Sequence, residues 1–469
     1  MPFLLFTLAC TPPVEHAGGG ETGPVETGDS AAECEGEVSP TVETTDMPTV
    51  LRVRWETEQE SEGQVRFSGT GQVSRITRAA SGTQHEALLV GLRPSTEVAF
   101  TVLVDGVPAC GGSGTATTGA FEESLPPAAV AVTSPDAADA GLTAVAVITG
   151  STAAATLLDE SGVVVWAAAL GGAGRIPYRV LPSLDGEAVL FNETSAGSQV
   201  AAVVYRVELD GSGGDVIHLP GGHTDFVETE PGAYAMLGFD VREVEGRTLV
   251  GDSIVEFDAA GVSRTVWSTF DSITPDLTRQ YDKGWYPGNP EAEDWTHVNA
   301  LSYDADEGAY YVSITLDDSV ARVDRASGEM TWRMGNPGGD FRSAAGERLF
   351  ARPHSVQRIG DDVIVFNRHS VIEGTPDCGN AVRVSFDEAA GTAERVWSYE
   401  PDTCVPVEWL GSAQRLPAGS TVVSFSSAGR LDEVAADGTP MLSLQLPAGG
   451  QYGFATRVLD AGGSFPDVE

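Results

Sequence analysis

Glu256-Phe257-Asp258-Ala259-Ala260-Gly261-Val262-Ser263-Arg264-Thr265-Val266-Trp267 reads as a strand, a tight turn and a returning strand that ends on tryptophan. The same pattern recurs five times. It appears as LLDESGVVVW (Leu157 to Trp166), VELDGSGGDVI (Val207 to Ile217), RVDRASGEMTW (Arg322 to Trp332), SFDEAAGTAERVW (Ser385 to Trp397) and VAADGTPMLSL (Val434 to Leu444). The turn aspartates are Asp159, Asp210, Asp258, Asp324, Asp387 and Asp437, at intervals of 51, 48, 66, 63 and 50 residues. A repeat of this length built on a hairpin indicates propeller blades. One hairpin buries little by itself, whereas blades stacked around an axis bury both faces of each sheet. Six hairpins predict six blades, each hairpin being the outer strand pair. The long third and fourth intervals leave room for loops at the channel mouth. A pair of sandwiches offers no reason for the repeat, and a β-helix needs a much shorter period.

Composition agrees with an all-β chain. Hydrophobic residues make up 41%, glycine is abundant at 55, and short Val/Thr/Ile/Leu runs lie between Gly, Asp and Pro clusters. The formal net charge is -41. Such a chain is repelled by nucleic acid and by anionic membrane surfaces, which excludes both as partners. Any anion must be held by local donors that overcome this field.

Residues 1–10 end in Thr7-Leu8-Ala9-Cys10, which is similar to a bacterial lipoprotein signal and implies lipidation of Cys10 and export. Membrane contact would then run only through a lipid anchor, since no later stretch is long and apolar enough to span a bilayer. Residues 11–34 are rich in Gly, Glu, Thr and Pro and predict a flexible acidic tether. In residues 35–119, Val50, Leu51, Val53 and Trp55 are followed by the Leu92-Arg93-Pro94 turn and by inward-alternating Val98, Phe100, Val102 and Val104. This resembles a fibronectin type III or Ig-like β-sandwich. Residues 120–140 read as a Pro/Ala-rich linker, and 141–469 as the propeller. With Cys10 set aside, four cysteines allow three pairings. Cys34–Cys110 and Cys378–Cys404 cross no domain boundary and suit an oxidising compartment.

The chain has no P-loop, GxSxG elbow, CxxC pair or HExxH motif. Chemistry must come from its few histidines. His223 lies in GGHTDF, His297 in DWTHVNALSYD and His354 in ARPHSVQRI, each well ahead of the turn aspartate of its repeat. Comparable points in successive blades converge on a propeller axis, so the three are expected in one pocket. Strand alternation places His297 and Asn299 on one face. A metal-dependent hydrolase or lyase using Asp225 or Asp294 with these histidines is an alternative.

DWTHVNALSYD, the strand YYVSI, and DSVARVDRASGEMTWRMGNPGGDF together resemble the core of the bacterial arylsulfotransferases. HTDF, DSIVEFDAAGVSRTVW (Asp252 to Trp267) and His354 ahead of VIVFNRH extend the resemblance over residues 141–469. It implies a six-bladed propeller enzyme that moves a sulfuryl group from an aryl sulfate to a phenol. Neither a nucleotide sulfate donor, nor another cofactor, nor a metal is implied. His354 would be the nucleophile, forming a sulfohistidine, with His223 and His297 bonding the sulfuryl and phenolic oxygens. Two positions depart from the family. Its arginine on the strand after D-W-x-H falls here at Thr315, and its F-D-N-G segment reads Phe366-Asn367-Arg368-His369. Asn299, Thr315, Arg352, Arg368 and His369 are therefore the substrate-binding candidates, with Arg358 a further possible cation. If the missing arginine has cost the activity, the chain is instead a non-catalytic surface propeller that binds a ligand or partner.

Overall fold

The computed structural model describes residues 34–122, 129–132, 141–150, 152–169, 175–195, 203–335, 338–343, 346–371, 376–458 and 460–466. Cys10 and most of the expected tether lie outside them. Six small antiparallel sheets form a ring, the six-bladed propeller. Each repeat hairpin is the outer strand pair of one blade. In blade 3, for example, the strands Gly222–Glu230, Ala233–Val244, Arg247–Phe257 and Ser263–Ser268 run outward in order.

The turn aspartates explain the repeat. Asp159 and Asp258 each use Oδ1 to accept two backbone N–H groups of the turn. Asp210, Asp324, Asp387 and Asp437 accept at least one in the same way. Otherwise unpaired donors are thereby satisfied locally. The glycine that follows has a positive φ in all six hairpins, between 61° and 88° for Gly162, Gly211, Gly261, Gly328, Gly391 and Gly438.

The ring is closed by the C-terminal segment. Gln451–Tyr452 and Thr456–Val458 pair with Leu142–Ile148 as the innermost strand of blade 1. Arg457 on that strand forms a fully buried ion pair with Glu433 of blade 6 and donates to Gly141 O at 2.9 Å. Within the stretch expected to be a linker, Ala129–Val132 forms a strand on the outer edge of blade 6, against Pro440–Gln445.

Inner strands face the axis, where no further strand can pair with their free edge. Side chains and backbone of the neighbouring blade satisfy them instead. Arg179 of blade 2 holds Asp225 of blade 3 through two bonds, and Asp225 accepts the Leu301 N–H of blade 4. Thr315 donates to Pro353 O, Ser355 accepts from Ala413 N, Ser412 accepts from Ala455 N, and Phe454 N donates to Tyr178 O. The circuit links all six blades.

The residues before the propeller form a two-part sheet hinged on one long strand, Leu51–Gly69. Its first half pairs with Thr41–Thr44 and Ala80–Leu89, its second with Glu97–Val104 and Arg75–Thr77. Val53, Trp55, Val65, Phe67, Val98 and Phe100 share one core. This unit sits on the turns of blades 1 and 2. Arg93 binds Asp159 at 2.6 Å, Arg52 binds Asp210, and Arg75 binds Glu160 at 3.2 Å. The chain's last strand, Ser464–Pro466, pairs with Arg75–Thr77, so both ends of the propeller are tied to it. Cys34–Cys110 and Cys378–Cys404 are both disulfide-bonded.

Candidate active site

The three histidines meet at the face of the propeller opposite those turns. They lie where first strands begin and second strands end, whereas the aspartate turns join third strands to fourth. Their registers differ. Blades 3, 4 and 5 each carry one residue in left-handed conformation near the start of the inner strand: Thr224 (φ 52°), inside the strand at a register shift, and His297 (φ 51°) and Arg352 (φ 52°), just ahead of it. His223 immediately precedes that residue, His297 is that residue, and His354 lies two beyond it. Such a conformation is costly for a side chain with a Cβ and re-aims the neighbouring residues. Strand alternation therefore fails at His297. Asn299 sits at a register shift between Val298 and Ala300.

Two histidines have carboxylate partners. His297 Nδ1 is bound to Asp294. His223 is fully buried, its Nε2 3.1 Å from Asp252 Oδ1 but not aligned as a hydrogen bond, and its Nδ1 3.2 Å from the Thr224 hydroxyl. Asp252 in turn accepts the Thr296 hydroxyl and the Val298 N–H at 2.9 Å, which ties blade 3 to the entry of blade 4. Burial pushes the Asp294 carboxyl above its ordinary range, against the pull of His297.

His354 differs from both. It is 2% exposed, and neither ring nitrogen has a hydrogen-bond partner among the described residues. Burial holds its imidazole well below the ordinary value, and the Arg368 guanidinium and His297 push the same way. It is therefore a neutral base at neutral pH.

A cavity of about 430 Å³ opens beside His297, walled by Trp285, Asp294, Thr315, Arg352, Arg368 and His369 among others, with His223 and His354 not part of its wall. Trp285 comes from the long third repeat interval, as the spacing foresaw for a mouth loop. Its ring lies 3.8 Å from that of His297 and 5.9 Å from that of His223. Phe239 packs on the other side, 4.4 Å from His223.

The remaining candidates separate. Asn299 is buried and donates to Thr315 Oγ1 at 2.7 Å, and Thr315 donates to Pro353 O at 2.6 Å. Both groups are spent on the fold. His369 lies at the rim, 3.3 Å from Asp377. Arg358 lies on the turn side, bonded to Glu307 and the Asp362 carbonyl. Asp225, held by Arg179, has both oxygens occupied. Residues that the sequence reading passed over are Asp252, Trp285 and Phe239. Asp252 begins a motif that was recognised, but only the folded ring shows its histidine.

Fold and site together define a six-bladed propeller with a buried histidine cluster at one mouth. Residues 129–436 match the arylsulfotransferase (ASST) family, and the chain belongs to that family. No curated protein matches it. Among solved structures, it is similar to a protein of unknown function from Bacteroides caccae (12% identity, 68% of this chain and 99% of that one, TM-score 0.39). A periplasmic gluconolactonase from Pseudomonas aeruginosa has 13% identity, 67% and 99% coverage and a TM-score of 0.39. A streptogramin B lyase has 13% identity, 69% and 88% coverage and a TM-score of 0.37.

Proposed function

We propose that this chain is an exported aryl-sulfate sulfotransferase that works through a sulfohistidine on His354. The observation that carries this reading is the division of labour among the histidines. Of the three, His354 alone is both buried and free of a carboxylate, which suits a nucleophile that must be neutral. His297 and His223 lie against carboxylates, which can fix the ring so that one nitrogen is aimed at a substrate oxygen and passes a proton to or from it.

In the first half-reaction a His354 nitrogen attacks sulfur and the sulfur–oxygen bond to the aryl group breaks. The leaving phenolate takes a proton from His297, whose Nδ1 is fixed by Asp294. In the second half-reaction an acceptor phenol returns its proton to His297, its oxygen bonds to sulfur, and the sulfur–nitrogen bond breaks. His223 donates to oxygen atoms on which negative charge develops. Trp285 supplies an aromatic wall for the phenyl ring. No step uses a nucleotide or a metal.

The test is transfer from 4-nitrophenyl sulfate to phenol by wild type and His354→Ala. Nitrophenol release that depends on phenol and vanishes in the variant supports the reading. Undiminished turnover in the variant overturns it.

A further inference from the structure

Thr315 and Arg368 hold the same place on adjacent blades. In blade 4, Thr315 N donates to His297 O and Leu316 N to Thr296 O. In blade 5, Arg368 N donates to Arg352 O and His369 N to Ala351 O. The ladder is repeated one blade on. In both blades it joins the end of the second strand to the left-handed residue at the mouth.

The two positions differ in what they offer a ligand. Thr315 is neutral and its hydroxyl is committed to Asn299 and Pro353. Arg368 is partly buried, and its Nε donates to Val407 O at 3.3 Å. Arg352 stands beside it, its backbone N–H held by Asp318 at 2.7 Å. Both arginines line the cavity beside His297. Among the described residues neither forms an ion pair, although the chain carries 68 Asp and Glu against 27 Lys and Arg. Most arginines here are paired, several of them to two carboxylates. Glu408 acts on Arg368 only as a more distant charge.

Two neighbouring cations that are partly removed from water repel each other, and the arrangement is relieved by an anion between them. Guanidinium also presents paired donors matched to a tetrahedral oxyanion. We infer that Arg368 and Arg352 are the clamp for the sulfuryl oxygens of the donor, holding sulfur against His354 and replacing a cation at Thr315. The inference rests on the sulfotransferase reading for the identity of the anion, a monoanionic aryl sulfate. It assigns the cationic side of the site to blade 5, the blade that also carries the nucleophile.

The experiment titrates 4-nitrophenyl sulfate into wild type, Arg368→Gln, Arg368→Lys and Arg352→Gln by isothermal calorimetry, with circular dichroism to verify folding. Steady-state transfer to phenol is measured on the same samples. Arg368→Gln is expected to weaken donor binding about 10- to 100-fold, with Arg368→Lys between it and wild type. The donor KM should rise in parallel while the phenol KM changes little. Donor affinity unchanged in folded Arg368→Gln and Arg352→Gln overturns the clamp, even where wild type transfers sulfate. Wild type that binds the donor through Arg368 without transferring it keeps the clamp and overturns the catalytic reading. Wild type that binds no donor overturns both.

Discussion

Asp252 lies 3.1 Å from Nε2 of His223 while its other carboxylate oxygen accepts the backbone N–H of Val298, next to His297. One buried carboxylate on blade 3 thus faces a histidine of its own blade and holds the strand entry of the next. Asp252→Asn keeps the volume but removes the carboxylate that faces His223. A fall in kcat of about 10²-fold or more is expected, with little change in donor KM. Donors with more basic phenol leaving groups should suffer most. An equal effect on all leaving groups would point to a structural role alone.

His354 titrates well below 6.5 in the folded protein. The unfolded chain therefore takes up a proton near 6.5 that the folded chain refuses. Its effect is absent at higher pH and costs stability as pH falls below 6.5, by up to about 1.4 kcal/mol per pH unit until the folded value is reached. His354→Asn should lose this part of the slope. Urea unfolding of both proteins between about pH 5 and pH 7.5 measures it, and parallel pH profiles would count against a buried neutral imidazole.

Trp285 covers His297 at 3.8 Å from a loop rather than from a blade strand. Trp285→Ala should raise KM for aromatic donor and acceptor about tenfold and leave the melting temperature nearly unchanged. Equal KM values would remove this ring from the substrate site.

Ring closure concentrates on Arg457, which is buried against Glu433. Arg457→Ala strands a carboxylate between the last blade and the first. A loss of about 3–5 kcal/mol is expected, read as a lower urea midpoint. Arg457→Met with Glu433→Leu should recover much of it.

Cys34–Cys110 closes a loop with a sequence separation of 76 residues. Replacing both cysteines by alanine should cost about 2–4 kcal/mol in a calorimetric scan. Transfer kinetics should not change, because this disulfide lies on the unit bound to the turn face, away from the histidines.

The hairpins were legible because their chemistry is local. An aspartate Oδ1 reaches N–H groups two to four residues on, and the glycine takes its positive φ within the same turn, so pattern and cause share one short window. The propeller and its six blades follow from that window repeated along the chain. The partners of those histidines did not follow. Asp252 and His223 are far apart in sequence, and Trp285 reaches His297 from a loop without periodicity. His223, His297 and His354 also stand at different offsets from the left-handed residue near the start of each inner strand, so strand alternation alone misplaces Asn299. The correspondence of Thr315 with Arg368 depends on two hydrogen-bond ladders in neighbouring blades. The sequence by itself determined the repeat, and through it the architecture, because turn chemistry acts over a few residues. Only the closed ring decided which histidine has a carboxylate, which stays neutral and which arginines face the cavity, because those properties depend on groups from different blades meeting away from water.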